Sequence, residues 1–301
     1  MKIKGIKAMG YGITIEKFDA KNATVQDIKT IKDAIHQELI VVLKKQCLLP
    51  AEFVNFGKQF GYIEEYYEEM YHHPSEKDIF VSSNMQKNSN LEGVPRTGSF
   101  WHSDYAFMKT PFAISITYPQ VVPKINRGTY FIDMARAYEN LSEALKQRIE
   151  NTACEHSVRK YFKIRPWDVY RPIGDIIKEI EERTPPVMHQ TVTTHPITGD
   201  KILYVNEGFT FAIKDSRPES KDSQLLLDEL FEASGQKDKD FSHPLIKLLE
   251  IEQGDIILWD NRRLIHHAKH TGIKEPAKTF RLTVYDENPF SLTTNASALF
   301  A

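Results

Sequence analysis

A histidine and a carboxylate stand two residues apart in the run Trp101-His102-Ser103-Asp104. Side chains two residues apart in an extended chain point to the same face, so His102 and Asp104 can bind one metal ion together. The same spacing also occurs by chance on the polar face of an ordinary strand. The pair therefore indicates a metal site only if another part of the chain supplies a further ligand.

Candidates for that ligand follow a hydrophobic strand in the C-terminal part of the chain. His266, His267 and His270 come after the run Trp259-Asp260-Asn261-Arg262. Adjacent strand residues point to opposite faces, so His266 and His267 are not expected to bind the same ion. Two histidines and one carboxylate leave one side of an octahedral iron(II) open for a chelating cosubstrate and dioxygen, whereas a structural zinc ion takes four protein ligands. Spacing alone does not choose among the three histidines.

The composition limits the classes to which the chain can belong. With 301 residues and 41% hydrophobic content, it can bury one large core, and we expect a single domain over residues 1–301. A formal net charge of −2 gives no field that attracts nucleic acid or an anionic membrane, so we expect a small-molecule partner. No apolar run reaches the roughly 20 residues of a spanning helix, and the expected location is cytoplasmic. The two cysteines, Cys47 and Cys154, are expected to be buried free thiols.

The patterning predicts a mainly β protein with helical insertions. Helices are expected over residues 24–37, 50–60, 137–150, 224–234 and 244–250. Strands are expected over residues 39–43, 113–118, 129–133, 202–206, 256–259 and 280–285. Residues 160–190, rich in proline and charge, are expected to form a long insertion that leaves the core. Many short strands of this kind are typical of a β-sandwich or jelly roll.

Five runs in this order resemble the TauD/TfdA family of Fe(II)/2-oxoglutarate-dependent dioxygenases: Trp101–Asp104, Gly128–Phe131, Ala137–Ser142, Thr194–Gly199 and Trp259–Arg262. The resemblance covers most of the chain. It implies the double-stranded β-helix, a jelly roll, and an oxidoreductase that uses Fe(II), 2-oxoglutarate and O2. It also implies oxidative decarboxylation of 2-oxoglutarate to succinate, coupled to removal of hydrogen from a substrate.

The resemblance also assigns roles to individual residues. His266, four residues after Arg262, matches the third iron ligand beside His102 and Asp104. Arg281 matches the arginine that binds 2-oxoglutarate, a role that suits a guanidinium because its fork pairs with a carboxylate through two charge-assisted bonds. Thr129 matches a hydroxyl that contacts the same carboxylate, although a threonine in a strand is more often there for its β-propensity.

Some features resemble one subgroup of the family, the oxygenase/decarboxylases that convert a (3R)-3-[(carboxymethyl)amino] fatty acid to an isonitrile. The positions that resemble its substrate pocket are Tyr66, Tyr67, Tyr105, Lys163, Arg165 and His270. Such a substrate carries two carboxylates, and a buried carboxylate needs a cation, which Lys163 and Arg165 are expected to supply. If Tyr66 and Tyr67 lie in a strand, only one of them faces the pocket.

Other interpretations of the same residues remain open. A Lys-x-Arg pair in a charged loop is usually solvated, and paired tyrosines between glutamates often lie on an ordinary surface strand. One alternative is a hydroxylase of the same family that acts on a sulfonate, an aryloxyacetate or an amino acid. Another is a metal-binding β-sandwich that has lost its chemistry. Whether the substrate arrives free, on a carrier protein or from a pathway enzyme, and whether the chain forms oligomers, stay undetermined by sequence.

Overall fold

The computed structural model describes residues 1–87, 90–125, 127–214, 222–270 and 275–289. It divides them into two compact units. The first unit comprises Met1–Ser99, Phe112–Phe131 and Lys247–Pro289, and the second comprises Phe100–Pro111 and Ile132–Ile246. The single domain expected from the sequence stays a prediction.

The described residues are mostly in strands. In chain order the strands are β1 (Lys2–Gly5), β2 (Ile13–Glu16), β3 (Ile40–Leu43), β4 (Tyr62–Ile63), β5 (Phe80–Ser83), β6 (Gln86–Lys87), β7 (Asn90–Leu91), β8 (Ile114–Val121), β9 (Thr129–Asp133), β10 (Ala153–His156), β11 (Val187–Gln190), β12 (Val192–Thr194), β13 (Lys201–Leu203), β14 (Thr210–Lys214), β15 (Ile246–Leu249), β16 (Ile256–Asp260), β17 (Leu264–Ala268) and β18 (Lys278–Tyr285). The α-helices are α1 (Val25–Glu38), α2 (Pro50–Lys58), α3 (Met134–Glu139), α4 (Glu143–Ile149), α5 (Ile173–Arg183) and α6 (Asp222–Ala233). Short 3-10 helices cover Ala20–Asn22, Glu69–Tyr71 and Pro166–Asp168.

Helix α1 shows how the sequence sets an element's start. The Thr24 hydroxyl accepts a hydrogen bond from the Asp27 amide at 3.2 Å, and the Asp27 carboxylate accepts one from the Thr24 amide at 2.9 Å. This capping box satisfies two amides that the helix itself leaves unpaired. Ile28, Ile31 and Ile35 then recur at helical spacing and are buried. The helix predicted over residues 24–37 is confirmed.

The large sheet of the first unit runs in the order β1-β2-β3-β16-β8-β18-β4, with β5 also paired to β18. Strands β2 and β3 are parallel, and the other neighbouring strands of this sheet pair in antiparallel fashion. Helices α1 and α2 pack on one face, over a core that includes Phe53, Phe56 and Leu282. Strand β18 lies between two partners, so Arg281 faces Thr117 of β8 on one side and Phe80 of β5 on the other.

The smaller sheets carry the remaining strands. In the second unit β10 lies between β11 and β14, and β12 pairs with β13. Strand β9, which begins at Thr129, lies between β15 and β17. The strand predicted over residues 129–133 is confirmed at both ends.

Three sequence predictions are wrong. Residues 137–150 form two helices, because the extended backbone of Ser142 interrupts them and its hydroxyl accepts from the Leu145 amide at 3.2 Å to start α4. Residues 244–250 were predicted to be helical, but β15 forms there beside β9, and periodicity does not separate strand from helix in so short an apolar run. Cys47 is exposed in the loop before α2, whereas Cys154 is buried as expected.

The insertion over residues 160–190 has regular structure. It contains the 3-10 helix Pro166–Asp168, helix α5 and strand β11. Helix α5 buries Ile176 and Ile180 and leaves Ile173 and Ile177 exposed. Among the residues that the structure describes, no helix has the length and apolar character needed to cross a membrane.

Candidate metal centre and cosubstrate site

His102 is held in one tautomer by the main chain of its own loop. Its Nδ1 lies 2.9 Å from the Phe100 carbonyl oxygen, which can only accept, so Nδ1 carries the proton. The lone pair is therefore on Nε2, and Nε2 lies 3.7 Å from Oδ1 of Asp104. Both side chains are buried. An imidazole whose second nitrogen is fixed by a hydrogen bond is the usual form of a metal-binding histidine.

Asp104 begins a turn instead of continuing an extended strand. The Ala106 amide donates to the Ser103 carbonyl at 3.4 Å, and the Met108 amide donates to the Tyr105 carbonyl at 2.9 Å. Tyr105 adopts φ +61°, a conformation that a bulky residue rarely adopts, and its ring stacks on Phe107. The carboxylate and the imidazole therefore lie side by side because of a turn, and the extended spacing argued from the sequence explains only part of their geometry.

Aromatic rings surround His102 within the second unit. The Phe100 ring lies 4.8 Å from the imidazole between centroids, and the Phe209 ring lies 5.9 Å from it. Tyr161 stacks on Phe100 at 3.6 Å. These rings exclude water around the donor atoms, and a shell of this kind controls the polarity of a metal site. Sequence reasoning missed all three, although Phe100 directly precedes the run Trp101–Asp104.

A buried histidine, His189, supports the turn that carries Asp104 and Tyr105, and a second, His156, packs against it. His189 on β11 donates from Nε2 to the Met108 carbonyl at 3.0 Å. Burial lowers the pKa of His189 to about 4, and burial together with His189 lowers the pKa of His156 on the neighbouring strand β10. Their rings lie 5.1 Å apart. Both imidazoles are therefore neutral at physiological pH, and His189 joins the sheet to the turn.

His266 lies on β17 in the first unit. It is buried, with the Trp259 ring 4.9 Å away and the Phe131 ring 6.1 Å away between centroids. His267 is half-buried, and its Nδ1 donates to the Ala268 carbonyl at 3.0 Å. The two histidines thus alternate along the strand as predicted.

The turn between β16 and β17 is held by its polar residues. The Asp260 carboxylate accepts from the Arg262 amide at 3.0 Å, and Asn261 donates from its side chain to the Phe112 carbonyl at 3.0 Å. The buried Arg262 guanidinium donates twice to Asp286, at 2.9 and 3.1 Å. This network fixes the start of the strand that bears His266.

The donor set fits iron(II). His102, Asp104 and His266 are buried, and each offers one ligand atom, an imidazole nitrogen or a carboxylate oxygen. Two imidazoles and one carboxylate are the donors of mononuclear non-haem iron(II) sites, and a set of three leaves positions for other ligands. The fixed Nε2 of His102 beside Asp104 is the structural observation that makes these residues suitable.

Arg281 lies against an aromatic cluster in the first unit. Its guanidinium carbon is 4.0 Å from the centroid of Phe80. Tyr71 stacks on the same ring at 4.5 Å, and Tyr66 meets it edge-on at 5.1 Å. Cation–π contact holds the flat guanidinium in one plane and leaves its N–H groups directed outward from its edge.

Tyr66 and Tyr67 lie in a loop, so strand alternation does not apply to them. Their rings touch, with centroids 4.7 Å apart, and both are half-buried. His72 donates from Nε2 to the Tyr66 carbonyl at 2.6 Å and ties this loop to the chain beyond the 3-10 helix. Burial raises the pKa of Tyr71, which follows in the same segment.

Thr129 and His270 lie at two other places in the first unit. Thr129 is half-buried at the start of β9, directly after Gly128. A Cβ at Gly128 would come within 2.7 Å of the Leu249 carbonyl oxygen, and its φ of +149° also favours glycine. His270 is exposed, and its Nε2 donates to the Thr97 carbonyl at 2.8 Å.

Arg165 is buried within an ion cluster of the second unit. Its guanidinium donates to both oxygens of Asp168, at 2.7 and 2.9 Å, and to Glu179 of α5 at 2.6 Å. Arg171 binds the same two carboxylates, at 2.8 and 2.7 Å. These arginines lower the pKa of Asp168 and of Glu179 to about 2. The charge of Arg165 is therefore already matched, whereas Lys163 is half-buried two residues earlier.

The model of the "Taurine catabolism dioxygenase TauD, TfdA family" matches residues 5–283. The chain belongs to this family. It is 26% identical to pentalenolactone F synthase of Streptomyces arenae, over 79% of this chain and 80% of that protein. It is 25% identical to the alpha-ketoglutarate-dependent 2,4-dichlorophenoxyacetate dioxygenase of Cupriavidus pinatubonensis, over 91% and 94% of the two chains.

Solved structures agree in fold with this member of the TauD/TfdA family. A taurine dioxygenase from Burkholderia xenovorans superposes with a TM-score of 0.72 at 22% identity, covering 96% of this chain and 92% of that one. The structure of AAD-2 in complex with Mn(II) and N-oxalylglycine gives a TM-score of 0.75 at 22% identity, covering 97% and 99%. The predicted jelly roll, mainly β with helical insertions, is confirmed.

The chain is therefore an Fe(II)/2-oxoglutarate-dependent dioxygenase, an oxidoreductase that uses Fe(II), 2-oxoglutarate and O2. The residues suited to this cofactor are present in the positions predicted from the sequence. The relatives described above do not include an isonitrile-forming enzyme, so membership of that subgroup is not part of this conclusion.

Proposed function

We propose that the enzyme converts a (3R)-3-[(carboxymethyl)amino] fatty acid to the (3R)-3-isocyano fatty acid. The reaction removes four hydrogens and one CO2 from the N–CH2–COOH group. Two molecules of 2-oxoglutarate and two of O2 are consumed, giving two succinates, two further CO2 and two waters. The single observation that carries the proposal is the set of tyrosine and lysine positions that resembles the substrate pocket of such enzymes.

In this proposal His102, Asp104 and His266 hold the iron, and Arg281 binds the distal carboxylate of 2-oxoglutarate with help from the Thr129 hydroxyl. When bound, the iron supplies the oxidising chemistry. The protein's part is placement and exclusion of water. Phe100 keeps His102 in its tautomer through its carbonyl and keeps water away through its ring. Phe80 holds the guanidinium of Arg281 flat for a carboxylate.

The substrate end of the proposal rests on Lys163, with hydrogen bonds from Tyr66, Tyr67, Tyr105 and His270. Arg165 was expected to act as a second cationic anchor. Because its guanidinium donates to two carboxylates, we now assign it the role of positioning the segment that bears Lys163. A substrate carboxylate at Lys163 gains a charge-assisted hydrogen bond, which offsets the cost of leaving water.

A second candidate is a hydroxylase of an aryloxyacetate or a related monocarboxylate. One observation favours it: Arg165 donates to carboxylates of the chain, so it is not expected to be the second cationic anchor that a dicarboxylate needs, and a monocarboxylate needs no second anchor. The similarity to a 2,4-dichlorophenoxyacetate dioxygenase supports the same class. A sulfonate or an amino acid also needs one anchor for its acidic group. A cytoplasmic location and a free or carrier-bound substrate remain expectations for either candidate.

The decisive experiment is anaerobic loading with iron(II), followed by 2-oxoglutarate, O2 and the (carboxymethyl)amino acid, with products counted by mass spectrometry. The proposal requires two succinates for each isonitrile. Lys163→Met is the matched variant and should raise the KM for this acid while leaving the uncoupled conversion of 2-oxoglutarate intact. If succinate forms and the acid is unchanged, while 2,4-dichlorophenoxyacetate is hydroxylated, the second candidate replaces the first.

The assignment of iron ligands has its own test in the paired histidines of β17. His266→Ala should weaken iron(II) binding by more than about 100-fold, since even partners of ligands cost 10–100-fold when removed. His267→Ala is the control, because that ring points to the other face and should leave iron binding unchanged. Iron bound after dialysis gives the answer without measuring activity. Equal loss in both variants, or in neither, contradicts the assignment.

A further inference from the structure

Glu207 is joined to the iron ligand His102 through one peptide group of the main chain. The amide of Trp101 donates to Oε2 of Glu207 at 3.3 Å. The carbonyl oxygen of the same peptide group, that of Phe100, accepts from Nδ1 of His102 at 2.9 Å. A peptide group is planar and rigid, so a contact that orients its N–H also orients its C=O. The hydrogen bond to Glu207 is therefore also a restraint on the acceptor that sets the tautomer of His102.

The next residue, Gly208, holds the other side of Trp101. Its amide donates to the Trp101 carbonyl oxygen at 2.9 Å. Trp101 is buried, and a buried backbone group that lacks a partner is costly, so the two hydrogen bonds from this turn stabilise the path of the chain at Trp101. Two consecutive residues of one turn thus hold the main chain directly before His102.

The Cα of Gly208 lies so close to the Phe100 ring that a side chain does not fit there. A Cβ at this position would come within 2.5 and 2.6 Å of two ring atoms and within 3.2 Å of the Trp101 carbonyl oxygen. Carbon atoms pack favourably at about 3.5–4.0 Å. The φ of Gly208 lies outside the left-handed region, so its backbone conformation is open to other residues. Lack of space, and not conformational freedom, therefore requires glycine here.

The Phe100 ring cannot move away from Gly208 without disturbing other rings. Tyr161 stacks on it with centroids 3.6 Å apart, and the rings of His102 and Phe209 lie 4.8 and 5.8 Å from it. Packed side chains of this kind respond to an added methyl group by shifts of ring or backbone. A side chain at position 208 would therefore change the surroundings of the His102 imidazole or move the turn away from the main chain that it holds.

The turn that carries Glu207 is itself held by side chains. The Asn206 side chain accepts from the Phe209 amide at 2.9 Å, and the Thr210 hydroxyl accepts from the Asn206 amide at 2.9 Å. The side chain of Gln236 accepts from the Glu207 amide at 2.8 Å. Asparagine and threonine commonly fix turns through such bonds. The turn is therefore ordered by its own contacts and is a firm support for the metal-binding run.

We infer that Glu207 and Gly208 are positioning residues for the iron ligand His102. Glu207 orients the peptide group between Phe100 and Trp101 through its N–H, and Gly208 supplies the space and the amide that keep the next carbonyl in place. Partners that fix the second nitrogen of a metal-binding histidine orient its ring and raise metal affinity. A charged acceptor at the end of such a chain of hydrogen bonds strengthens the bonds within it. This role concerns the iron site alone and holds for any organic substrate.

The first test removes the carboxylate of Glu207 and then restores an acceptor. Glu207→Ala should weaken iron(II) binding about 10- to 100-fold, the range for partners of metal ligands. Glu207→Gln keeps an oxygen that accepts from the Trp101 amide, so it should bind iron(II) more tightly than the alanine variant. Lys239→Met is the control, because the exposed Lys239 lies 3.8 Å from the other oxygen of Glu207 and should not affect iron binding. Affinity is measured without oxygen, by competition with a coloured chelator.

The second test adds a methyl group at position 208, with and without the ring of Phe100. Gly208→Ala alone should weaken iron(II) binding about 10- to 100-fold. In a Phe100→Ala background the ring is gone and the carbonyl oxygen stays, so the same substitution should have a much smaller effect. Gly174→Ala is the matched control, because a Cβ at Gly174 meets nothing within 4 Å, and it should leave iron affinity unchanged.

NMR of the ring nitrogens in the metal-free protein separates positioning from a general loss of stability. Glu207→Ala and Gly208→Ala should both lower the fraction of His102 that carries its proton on Nδ1, whereas a variant that is only less stable keeps that tautomer. Unchanged tautomer and iron affinity in both variants overturn the inference. So does an equal loss from Gly208→Ala with and without the Phe100 ring. If Gly208→Ala does not fold, Glu207 decides, since alanine and glutamine variants that bind iron(II) equally well contradict its role.

Discussion

The two arginines expected to bind carboxylates lie in different surroundings. Arg165 is buried among Asp168, Glu179 and Arg171, and its N–H groups meet carboxylates of the same chain. Arg281 lies flat against Phe80, beside Tyr66 and Tyr71. The resemblance assigns a carboxylate partner to both arginines, yet Arg165 joins carboxylates of its own chain and stabilises the fold, whereas Arg281 is placed flat against an aromatic ring.

The difference shows what an anchor for a ligand needs. An aromatic ring fixes the plane of a guanidinium without competing for its hydrogen bonds to carboxylates. A carboxylate of the chain fixes the same group and occupies those hydrogen bonds. Contact with a ring therefore favours binding of a ligand, and a matched ion cluster favours rigidity.

Removing the buried guanidinium should have the largest effect on stability. Arg165→Ala removes the buried cation of the cluster and leaves Asp168 and Glu179 with the half-buried Arg171, and breaking a buried ion pair costs about 3–5 kcal/mol. We expect the free energy of unfolding, measured by urea denaturation, to fall by that amount. The KM for 2-oxoglutarate should stay within about twofold, since substitutions at sites that share no partners usually act independently. A large rise in that KM with normal stability would contradict the contrast between the two arginines.

Lowering the pH should distinguish the contribution of the buried histidines to the free energy of unfolding from that of the ion cluster. Burial lowers the pKa of His189 from 6.5 to about 4, so below pH 6.5 the unfolded chain takes up a proton that the folded chain does not. His189 should therefore lower the free energy of unfolding by about 3 kcal/mol as pH falls from 6.5 to 4, the buried His156 should lower it further, and neither should change it much above pH 6.5. Asp168 and Glu179, with pKa values of about 2, remain charged throughout this range.

The control for this pH dependence is the slope in two variants. His189→Gln should make the fall between pH 6.5 and 4 shallower without removing it, because the buried His156 also has a lowered pKa. Arg165→Ala should keep the wild-type slope between pH 6.5 and 5, because Asp168 and Glu179 take up protons only below that range, even in the unfolded chain. If Arg165→Ala removes the slope, the carboxylates and not the histidines cause it.

Arg281→Lys tests the ligand-binding side of the comparison. Lysine keeps the charge but loses the flat fork and its stacking on Phe80. Charge-assisted hydrogen bonds contribute about 1.5–3 kcal/mol, so the KM for 2-oxoglutarate should rise about 10- to 100-fold with little change in stability. Initial rates at varied 2-oxoglutarate, together with a melting curve, check both parts. An unchanged KM would place the cosubstrate carboxylate elsewhere.

The smallest effect on activity is expected from loss of the hydroxyl of Tyr66, whose ring contacts Phe80. Tyr66→Phe keeps the edge-on contact with Phe80 and removes only a hydroxyl, a loss of about 0.5–1.5 kcal/mol if that hydroxyl bonds substrate. The KM of the organic substrate should therefore rise up to about tenfold, while the KM for 2-oxoglutarate stays the same. Tyr67→Phe is the partner variant, and the two together show which hydroxyl reaches the substrate.

Local signals in the sequence were enough for much of the fold. Apolar residues at helical spacing behind Thr24 predicted α1, and the β-branched and aromatic run at Thr129–Asp133 predicted β9, because both depend on neighbours along the chain. Strand β15 was missed because its conformation is fixed by pairing with β9, more than a hundred residues away. The interruption at Ser142 was missed because a serine fits either a helix or its cap.

The candidate site was also predictable only in part. The spacing of His102 and Asp104 can be seen in the sequence, but the turn that brings their atoms to 3.7 Å depends on Tyr105 and on His189 from a distant strand. The ion cluster of Arg165 could not be foreseen, because its partner Glu179 lies fourteen residues away on a helix that was not predicted. Three-dimensional partners decide whether a cation is available to a ligand.

The hydrogen bond from His102 to the carbonyl oxygen of Phe100 has a consequence for how the enzyme can change. Every amino acid at position 100 carries that oxygen, so no single replacement there deletes the acceptor. Substitutions at this position can change the ring that packs on the imidazole. The tautomer of the imidazole depends only on the backbone conformation of the loop, so these substitutions leave it unchanged. Changing the tautomer of His102 therefore requires a change in the backbone of the loop. Side-chain substitutions at position 100, as in an alanine scan, do not remove the carbonyl oxygen that orients the imidazole.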